Sequence, residues 1–269
     1  MAGNFDFLLK NEYYDDFAPA CVEAERSMMI STLSAVAASR RAMELIIKWI
    51  YKVDKSIRLP LYGDSLMDMM ANPDFVDNLD NPELLDFLHL IRKLGNKAVH
   101  GGGLISKAKA MTILRALFDF VDFIECAYGE SGYQKRFFDE NLVPTSDDLR
   151  DFMTRKEAEK LEDKYKEENP KSLDEEREET SDVIQNEVKK NKERAKADPE
   201  RTYRVDPYTE AQTRKEFIDL DLELAGWKMG ANALAEVPVK GMPSESGEGF
   251  ADYVLYGKDG LPLAVVEAK

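Results

Sequence analysis

The chain is poor in cysteine and in positive charge. Only two of its 269 residues are cysteines, Cys21 and Cys126, and they lie far apart in apolar surroundings. This excludes a disulfide framework and argues against a cysteine zinc cluster. Lys and Arg number 37 against 52 Asp and Glu, a net charge of −15 at pH 7. Because affinity for phosphate depends on basic side chains, any contact with DNA must be local, assisted by a metal ion, or made by another part of an assembly.

Long apolar runs and a phosphate-binding loop are also missing. No segment approaches the length and apolarity of a membrane span, and the first residues, MAGNFDFLLKNEYYDD, carry acidic side chains where a secretion signal needs basic ones. We therefore expect a cytoplasmic protein without a membrane partner. The pattern GxxxxGK[ST] does not occur, so we expect no ATP site of that type in this chain.

Apolar residues recur at spacings of three and four through the first half of the chain. From about Asp16 to Gly132 this periodicity is typical of helices that bury one face. Proline and glycine interrupt the pattern at residues 58–63, 72–82 and 101–103. The predicted helices are about Ala18 to Val53, as one helix or two, then Pro82 to Val99, and Ser106 to Gly129.

A highly charged stretch follows, from about Arg155 to Glu200. It contains few apolar side chains and is broken by Pro170 and Pro199, so it cannot bury much surface. Solvated single helices and a partly disordered linker both fit this composition. We therefore predict three regions: a helical domain at residues 1–145, a charged helical or flexible linker at 146–203, and a further domain at 204–269.

The last segment has the pattern of a helix followed by a β-hairpin. We predict a helix from about Thr209 to Ala225, a loop rich in Gly, Pro and Ser, and strands at 250–256 and 261–268. Gly257 to Gly260 contains the Asp-Gly pair that favours a tight turn.

Three residues of this hairpin suggest metal chemistry. Asp252 begins one strand and Glu267 ends the other, so antiparallel pairing would bring the two carboxylates together. Lys269, two residues further on, points to the same face as Glu267. Two carboxylates can hold a Mg²⁺ ion that polarises a phosphate and activates water, and a lysine can orient that water. An ordinary surface hairpin is the alternative interpretation, because Asp, Glu and Lys are abundant in this chain.

The same segment resembles a known nuclease domain. The sequence TEAQTR at 209–214, with the later groups FID at 217–219 and AGW at 225–227, is similar to the opening of the nuclease domain in the R subunit of type I restriction enzymes. The sequences ADYVL at 251–255 and VVEAK at 265–269 resemble its PD-(D/E)xK signature, with alanine in place of the proline. The resemblance covers about residues 208–269.

This resemblance implies an incomplete α/β PD-(D/E)xK core that cleaves foreign DNA with Mg²⁺. Asp252, Glu267 and Lys269 would be catalytic, Glu210 would join Asp252 and Glu267 in binding the metal, and Arg214 would bind DNA phosphate. The chain would be a truncated subunit, since the family continues with the rest of the nuclease and with an ATP-driven translocase. Its implied partners are DNA and the methyltransferase and specificity subunits of the restriction complex.

A second polar pattern lies in the helical region. Arg92, Asn96 and His100 are four residues apart, so they share one helix face near its C-terminal end. They suggest a ribonuclease site, whereas a helix-capping His100 and a locally bonded Asn96 form the structural alternative. The segment IRKLGNKAVHGG, with ASRRAME upstream at 38–44, resembles a HEPN-like helical domain. Catalytic HEPN proteins carry an arginine at the position of Gly95.

Three hypotheses about function therefore follow. The favoured one is the R subunit of a type I restriction enzyme, with a mainly α HEPN-like domain, a charged helical linker and an incomplete α/β nuclease core. The alternatives are a non-catalytic interaction module and a HEPN-type ribonuclease.

Overall fold

The computed structural model describes residues 3–61, 63–101, 104–130, 132–144, 172–241 and 248–267. The chain divides into two compact units, Met1–Glu210 and Ala211–Lys269. The described part of the first unit is helical, and that of the second contains the end of a helix and a small antiparallel sheet. The coarse prediction of a mainly helical chain with a β-hairpin near its C-terminus is confirmed.

The described helices of the first unit follow the predicted periodicity with two differences. The long first helix is divided, because Met28 and its neighbours form a short 3₁₀ turn and Ser31 begins a new helix with its hydroxyl accepting from the Ser34 N–H. A helix also occupies part of the predicted break at 72–82. The helices are α1 (Ala18–Arg26), α2 (Thr32–Val53), α3 (Leu66–Ala71), α4 (Pro73–Leu79), α5 (Pro82–Asn96) and α6 (Lys107–Tyr128).

Residues that suit helix starts explain most of these bounds. The side chains of Asn81 and Ser106 accept hydrogen bonds from the backbone N–H groups three residues later, and Pro73 and Pro82 occupy first helical positions. A proline is tolerated there because that N–H has no partner within the helix. Local sequence therefore determines where these helices begin.

The core of the first unit lies where α2 packs against α1, α5 and α6. Aromatic side chains meet edge to face around Trp49, whose ring centroid lies 5.4 Å from Phe17, 5.6 Å from Tyr14 and 5.7 Å from Tyr128. Such edge-to-face contacts are favourable beyond the area that they bury. None of the helices in the described ranges is both long and apolar enough to cross a membrane.

The described part of the predicted linker packs on this helical core. Residues 172–203 contain α7 (Leu173–Glu179), which lies on α2, and α8 (Asp182–Ala197), which lies mainly on α6. Leu173 and Val188 are almost fully buried. This differs from a solvated or flexible connector, because buried polar contacts supplement the few apolar side chains. Residues 146–171 of the predicted linker lie outside the described part.

Three antiparallel strands form the sheet of the second unit, in the order β1 (Ala233–Lys240), β2 (Glu248–Tyr256) and β3 (Pro262–Val266). The β2–β3 hairpin agrees with the prediction up to Val266. The loop predicted after Trp227 is wrong for residues 233–240, which form β1. Pro238 within it disfavours a strand assignment from sequence, yet β1 lies at the edge of the sheet, where proline is tolerated.

A small core holds the sheet to α9 (Pro207–Leu224). The end of α9 packs on one face of the sheet through Leu222. The buried members are Leu222, Ala233, Tyr253 and Leu255, and partly buried side chains around them are Ile218, Trp227, Met229 and Val266.

Candidate functional site

Asp252 and Glu267 occupy opposite positions on neighbouring strands. The register pairs Tyr253 with Val266 and Val254 with Val265. One step outward, the same register sets Asp252 opposite Glu267, which directly follows β3. Residues that oppose each other in antiparallel strands have Cβ atoms about 4.5–5.5 Å apart. The register therefore places the two acidic residues at neighbouring positions of the hairpin.

The face of the sheet that carries these carboxylates is the one turned away from the small core. Tyr253 and Leu255 belong to that core. Because side chains alternate along a strand, Asp252 and Val254 point to the opposite face. Asp252 is half-buried and Glu267 is exposed. A ligand from solvent can thus reach the pair.

The surroundings of the two carboxylates on this face are partly apolar. Phe250 on β2 is 69% exposed, and Leu263 and Val265 on β3 are 66% and 57% exposed. Phe250 lies two residues from Asp252, and Leu263 and Val265 lie four and two residues from Glu267. By strand alternation they lie on the same face of the sheet as these carboxylates. Apolar neighbours lower the local dielectric constant and strengthen the attraction between carboxylates and a cation.

A further acidic residue that the sequence did not indicate, Glu236, lies at the neighbouring position on β1. It falls between the pairs Ala235–Tyr253 and Val237–Ala251, which places it opposite Asp252 in the register. Glu236 itself is not among the paired residues of β1 and β2, and its backbone is in the left-handed region, with a φ of 54°. Because β1 was predicted as a loop, its register with β2 could not be read from the sequence.

The donor set fits Mg²⁺ with few protein ligands. Among the described residues, no group of three or more His, Cys, Asp or Glu side chains is arranged to hold a metal ion. Asp252 and Glu267 would therefore act as a pair of carboxylates. Mg²⁺ commonly binds in this way, with one or two carboxylates, several waters and substrate phosphate.

Three other residues predicted for this site cannot be placed in it. Lys269 lies outside the described residues. The backbone of Glu210 and Arg214 is helical, within α9 as predicted, but their side chains also lie outside the described part of the chain. Their roles in metal and DNA binding remain predictions.

The polar triplet of the helical unit extends beyond the end of an α-helix. Arg92 and Asn96 lie on α5, which ends at Asn96, and residues Lys97–Gly101 form a π-helical turn. The side chain of His100 lies outside the described residues.

Gly95 allows a close approach between α5 and α2. A Cβ atom at this position would lie 2.5 Å from both Cβ and Cδ of Arg40. Contacts this short do not occur between real atoms, so any larger residue would require the helices to separate. The arginine that catalytic HEPN proteins carry here is therefore incompatible with the observed packing.

Comparison of the chain with protein-family models, with curated proteins and with solved structures gives no match.

Proposed function

We propose that this chain is part of the DNA-cleaving R subunit of a type I restriction enzyme, in which Asp252 and Glu267 hold a Mg²⁺ ion at the scissile phosphate. The observation that carries the proposal is the β2–β3 register, whose end pair of Tyr253 with Val266 makes Asp252 and Glu267 the next residues on the two chains. It is supported by the resemblance of residues 208–269 to the PD-(D/E)xK nuclease domain. Fixed strands suit such a site because they hold ligands more rigidly than loops do.

Each side chain has a distinct part in this mechanism. Asp252, within β2, supplies one carboxylate, and exposed Glu267, directly after β3, supplies a second one. A bound Mg²⁺ would polarise the phosphodiester and lower the pKa of a coordinated water. By strand alternation Lys269 would lie on the side of Glu267 and orient the attacking water, while Glu210 and Arg214 would contribute a further metal contact and a phosphate contact.

The acidic composition of the chain agrees with a DNA contact of this local kind. A net charge of −15 repels a polyanion over most of the surface. A divalent cation between two carboxylates neutralises the negative charge at one place only. Wider attraction to DNA would then come from the methyltransferase and specificity subunits of the complex, and ATP would act through the motor region of the complete subunit.

Substitution of the paired carboxylates tests the proposal. In the complete subunit, Asp252→Asn and Glu267→Gln should each lower Mg²⁺-dependent DNA cleavage by about 100-fold or more, while ATP hydrolysis continues. The matched control is Asp259→Asn in the turn of the same hairpin. Asp259 accepts from the Leu261 N–H at 3.1 Å through an oxygen that asparagine retains. Cleavage at the wild-type rate by Asp252→Asn would show that the assignment is wrong.

The ribonuclease alternative has weaker support. The contact between Gly95 and Arg40 excludes the arginine of the catalytic motif at position 95. RNA cleavage by the purified chain that is lost in His100→Ala would favour this alternative. If neither DNA nor RNA were cleaved, the non-catalytic interaction module would remain.

A further inference from the structure

A cavity of about 500 Å³ lies in the first unit, between α8 and the residues at the end of α2. Its lining includes two buried apolar residues, Val53 and Val188, and two buried polar ones, Asp54 and Gln185. This volume suits a small organic ligand, since such sites typically measure about 300–1,000 Å³. None of the lining residues belongs to the hairpin site or to the polar triplet near the end of α5.

Gln185 brings an unused hydrogen-bond acceptor to this cavity. Its Nε2 atom donates to the carbonyl of Arg177 at 3.1 Å and to that of Lys52 at 3.5 Å, which fixes the orientation of the amide group. The Oε1 atom is buried and accepts no hydrogen bond among the described residues. A buried acceptor without a donor costs about 1–3 kcal/mol. A ligand that donates an N–H group to Oε1 would remove this cost.

Lys192 brings an unused donor to the same cavity. Its ammonium group donates to the carboxylate of Asp54 and, at 3.2 Å, to the Ser56 hydroxyl, and the Tyr128 ring centroid lies 5.4 Å away. An ammonium group has three N–H donors, so one of them has no oxygen acceptor among the described residues. The Lys192 side chain is only 13% exposed. Lys196, one turn further along α8, is exposed and adds a second positive charge.

The unused acceptor and the unused donor lie towards opposite ends of the cavity. Gln185 and Lys192 are seven residues apart on one face of α8, which is roughly 10 Å along the helix axis. Four lysines and three carboxylates line the cavity. One carboxylate pairs with Lys192 and another with Lys55, which leaves two lysines and one carboxylate. The remaining charge favours an anionic group at the lysine end.

An ion pair limits the length of a ligand at the other end. Lys55 follows α2 and Asp182 begins α8, and their charged groups are 3.6 Å apart. The pair joins the two walls of the cavity at the end near Gln185, which lies three residues after Asp182. An elongated ligand would therefore end there.

We propose that this cavity binds a free short peptide of about three residues through its terminal carboxylate and one backbone N–H group. The carboxylate accepts from Lys192 and Lys196, and the N–H group donates to Oε1 of Gln185. An extended chain spans at most about 3.3–3.6 Å per residue, so three residues match the separation of roughly 10 Å. Val53 and Val188 contact the apolar side chains of the peptide. The site belongs to the first unit and does not depend on the proposed nuclease.

Calorimetric titration of the full chain with N-acetyl-trialanine, which has a free carboxylate, tests the site. The wild type should bind this peptide, and should bind its C-terminal amide about tenfold more weakly, because the amide lacks the anionic group. Gln185→Met retains the length of the side chain but removes Oε1, and should weaken binding by about tenfold. Lys196→Gln should weaken it by about threefold.

The matched control is Lys190→Gln on the same helix, which should bind as the wild type does. Lys190 is exposed, lies outside the cavity lining and pairs with Glu187 at 2.8 Å. No binding of N-acetyl-trialanine by the wild type, or equal binding by Gln185→Met, would overturn the proposal. Lys196→Gln that binds like the control would contradict the place given to the carboxylate.

Thermal unfolding separates a loss of binding from a loss of structure. Gln185→Met also loses two bonds to backbone carbonyls, so it should unfold at a lower temperature than the wild type even without peptide. Lys196→Gln should unfold with the wild type in the absence of peptide, because Lys196 is exposed. Added peptide should raise the unfolding temperature of the wild type by more than that of Lys196→Gln. Equal increases would show that the peptide binds elsewhere.

Two further ligands distinguish the source of the carboxylate. A ten-residue peptide that ends in the same three alanines represents the C-terminus of a protein. It should bind more weakly than N-acetyl-trialanine, because the Lys55–Asp182 pair closes one end of the cavity. Tighter binding would identify a protein C-terminus as the ligand and overturn the free-peptide assignment. Displacement of N-acetyl-trialanine by an equal concentration of inorganic phosphate would indicate a site for simple anions, which also contradicts the proposal.

Discussion

At the scale of single residues, Asp54 shows how a charged side chain is accommodated in the interior. It is 7% exposed and receives hydrogen bonds from the Tyr128 hydroxyl at 2.9 Å, the Ser56 hydroxyl at 2.6 Å and the Lys192 ammonium. Burial raises the pKa of Asp54, but the bonds from Lys192 and Ser56 and the charge of Lys192 lower it by more, so this pKa lies below its usual value.

The sign of the resulting pH dependence follows from proton linkage. An unfolded aspartate has a pKa near 3.9, above that of folded Asp54, so on acidification the unfolded chain binds the proton first. The contribution of Asp54 to stability is therefore present above about pH 4. It is lost as the pH falls through the lower pKa of the folded state.

We predict that Lys192→Met destabilises the first unit by roughly 3 kcal/mol at pH 7, because it leaves the Asp54 carboxylate buried without its cation. The difference from the wild type should shrink on acidification, because burial without the Lys192 cation raises the pKa of Asp54 and the variant neutralises this carboxylate at a higher pH than the wild type does. Urea unfolding at a series of pH values measures both effects. Lys189→Met, at an exposed position of the same helix, serves as the control. A loss that is equal for both variants would contradict this account.

At the scale of elements, two arginines dock the charged segment onto the ends of long helices. Arg201 donates to the carbonyls of Glu125 and Cys126 at 2.6 Å and to those of Gly129 and Glu130 at 2.9 Å. The last carbonyls of a helix lack partners within it, and positive charge is favourable there. Arg201 thus caps α6.

Arg177 caps the C-terminal end of α2 in the same way. It donates to the carbonyl of Tyr51 at 2.6 Å and to that of Ile57 at 2.8 Å. Guanidinium-to-carbonyl bonds therefore help to hold the segment that contains α7 and α8, beside the burial of Leu173 and Val188. Hydropathy does not report such bonds, since both partners are polar.

We predict that Arg201→Ala lowers the free energy of unfolding of the first unit by roughly 2–3 kcal/mol, because several backbone acceptors lose a charged donor. Arg201→Lys should recover part of this, since an ammonium group cannot reach all four carbonyls. Arg204→Ala, at an exposed site three residues later, should change stability by less than about 0.5 kcal/mol. Chemical unfolding followed by circular dichroism measures these values, and an unaffected Arg201→Ala would exclude the capping role.

At the scale of the whole molecule, the two units have cores of very different size. The first unit buries aromatic and aliphatic side chains from several helices. Among the described residues of the second unit, the core cluster has four buried members, and Leu220, Ala251 and Val254 are buried outside it. A small core yields little stabilisation, and a sheet of three strands is near the lower limit for independent stability. The chain has two tryptophans, and one lies in each unit: Trp49 in the first and Trp227 in the second.

We predict that the units unfold in separate transitions, with the second at the lower urea concentration. Trp227→Phe leaves Trp49 as a fluorescence probe of the first unit, and Trp49→Phe leaves Trp227 as a probe of the second. The Trp227 probe should report the earlier midpoint. Circular dichroism of both variants checks that neither substitution alters the fold. Coincident midpoints for the two probes would show that the units unfold as one cooperative body.

The candidate site was predictable only in part. The Asp-Gly turn and the alternation of β2 and β3 allowed the opposition of Asp252 and Glu267 to be read from residues that lie close in sequence. The position of Glu236 opposite Asp252 could not be predicted from the sequence. A long connection joins β1 to β2, and Pro238 argues against a strand, so the register of β1 follows from pairing that no local pattern reports.

The same distinction applies to the whole fold. Periodicity, cap residues and turn residues were sufficient for α2, α5, α6 and the β2–β3 hairpin, because these features act over a few neighbouring residues. Tertiary structure alone decided the docking of α7 and α8 through Arg177 and Arg201, and the closeness of α2 and α5 at Gly95. These contacts join polar groups or backbone atoms that are distant in sequence, and their free energy depends on burial that exists only after the chain has folded.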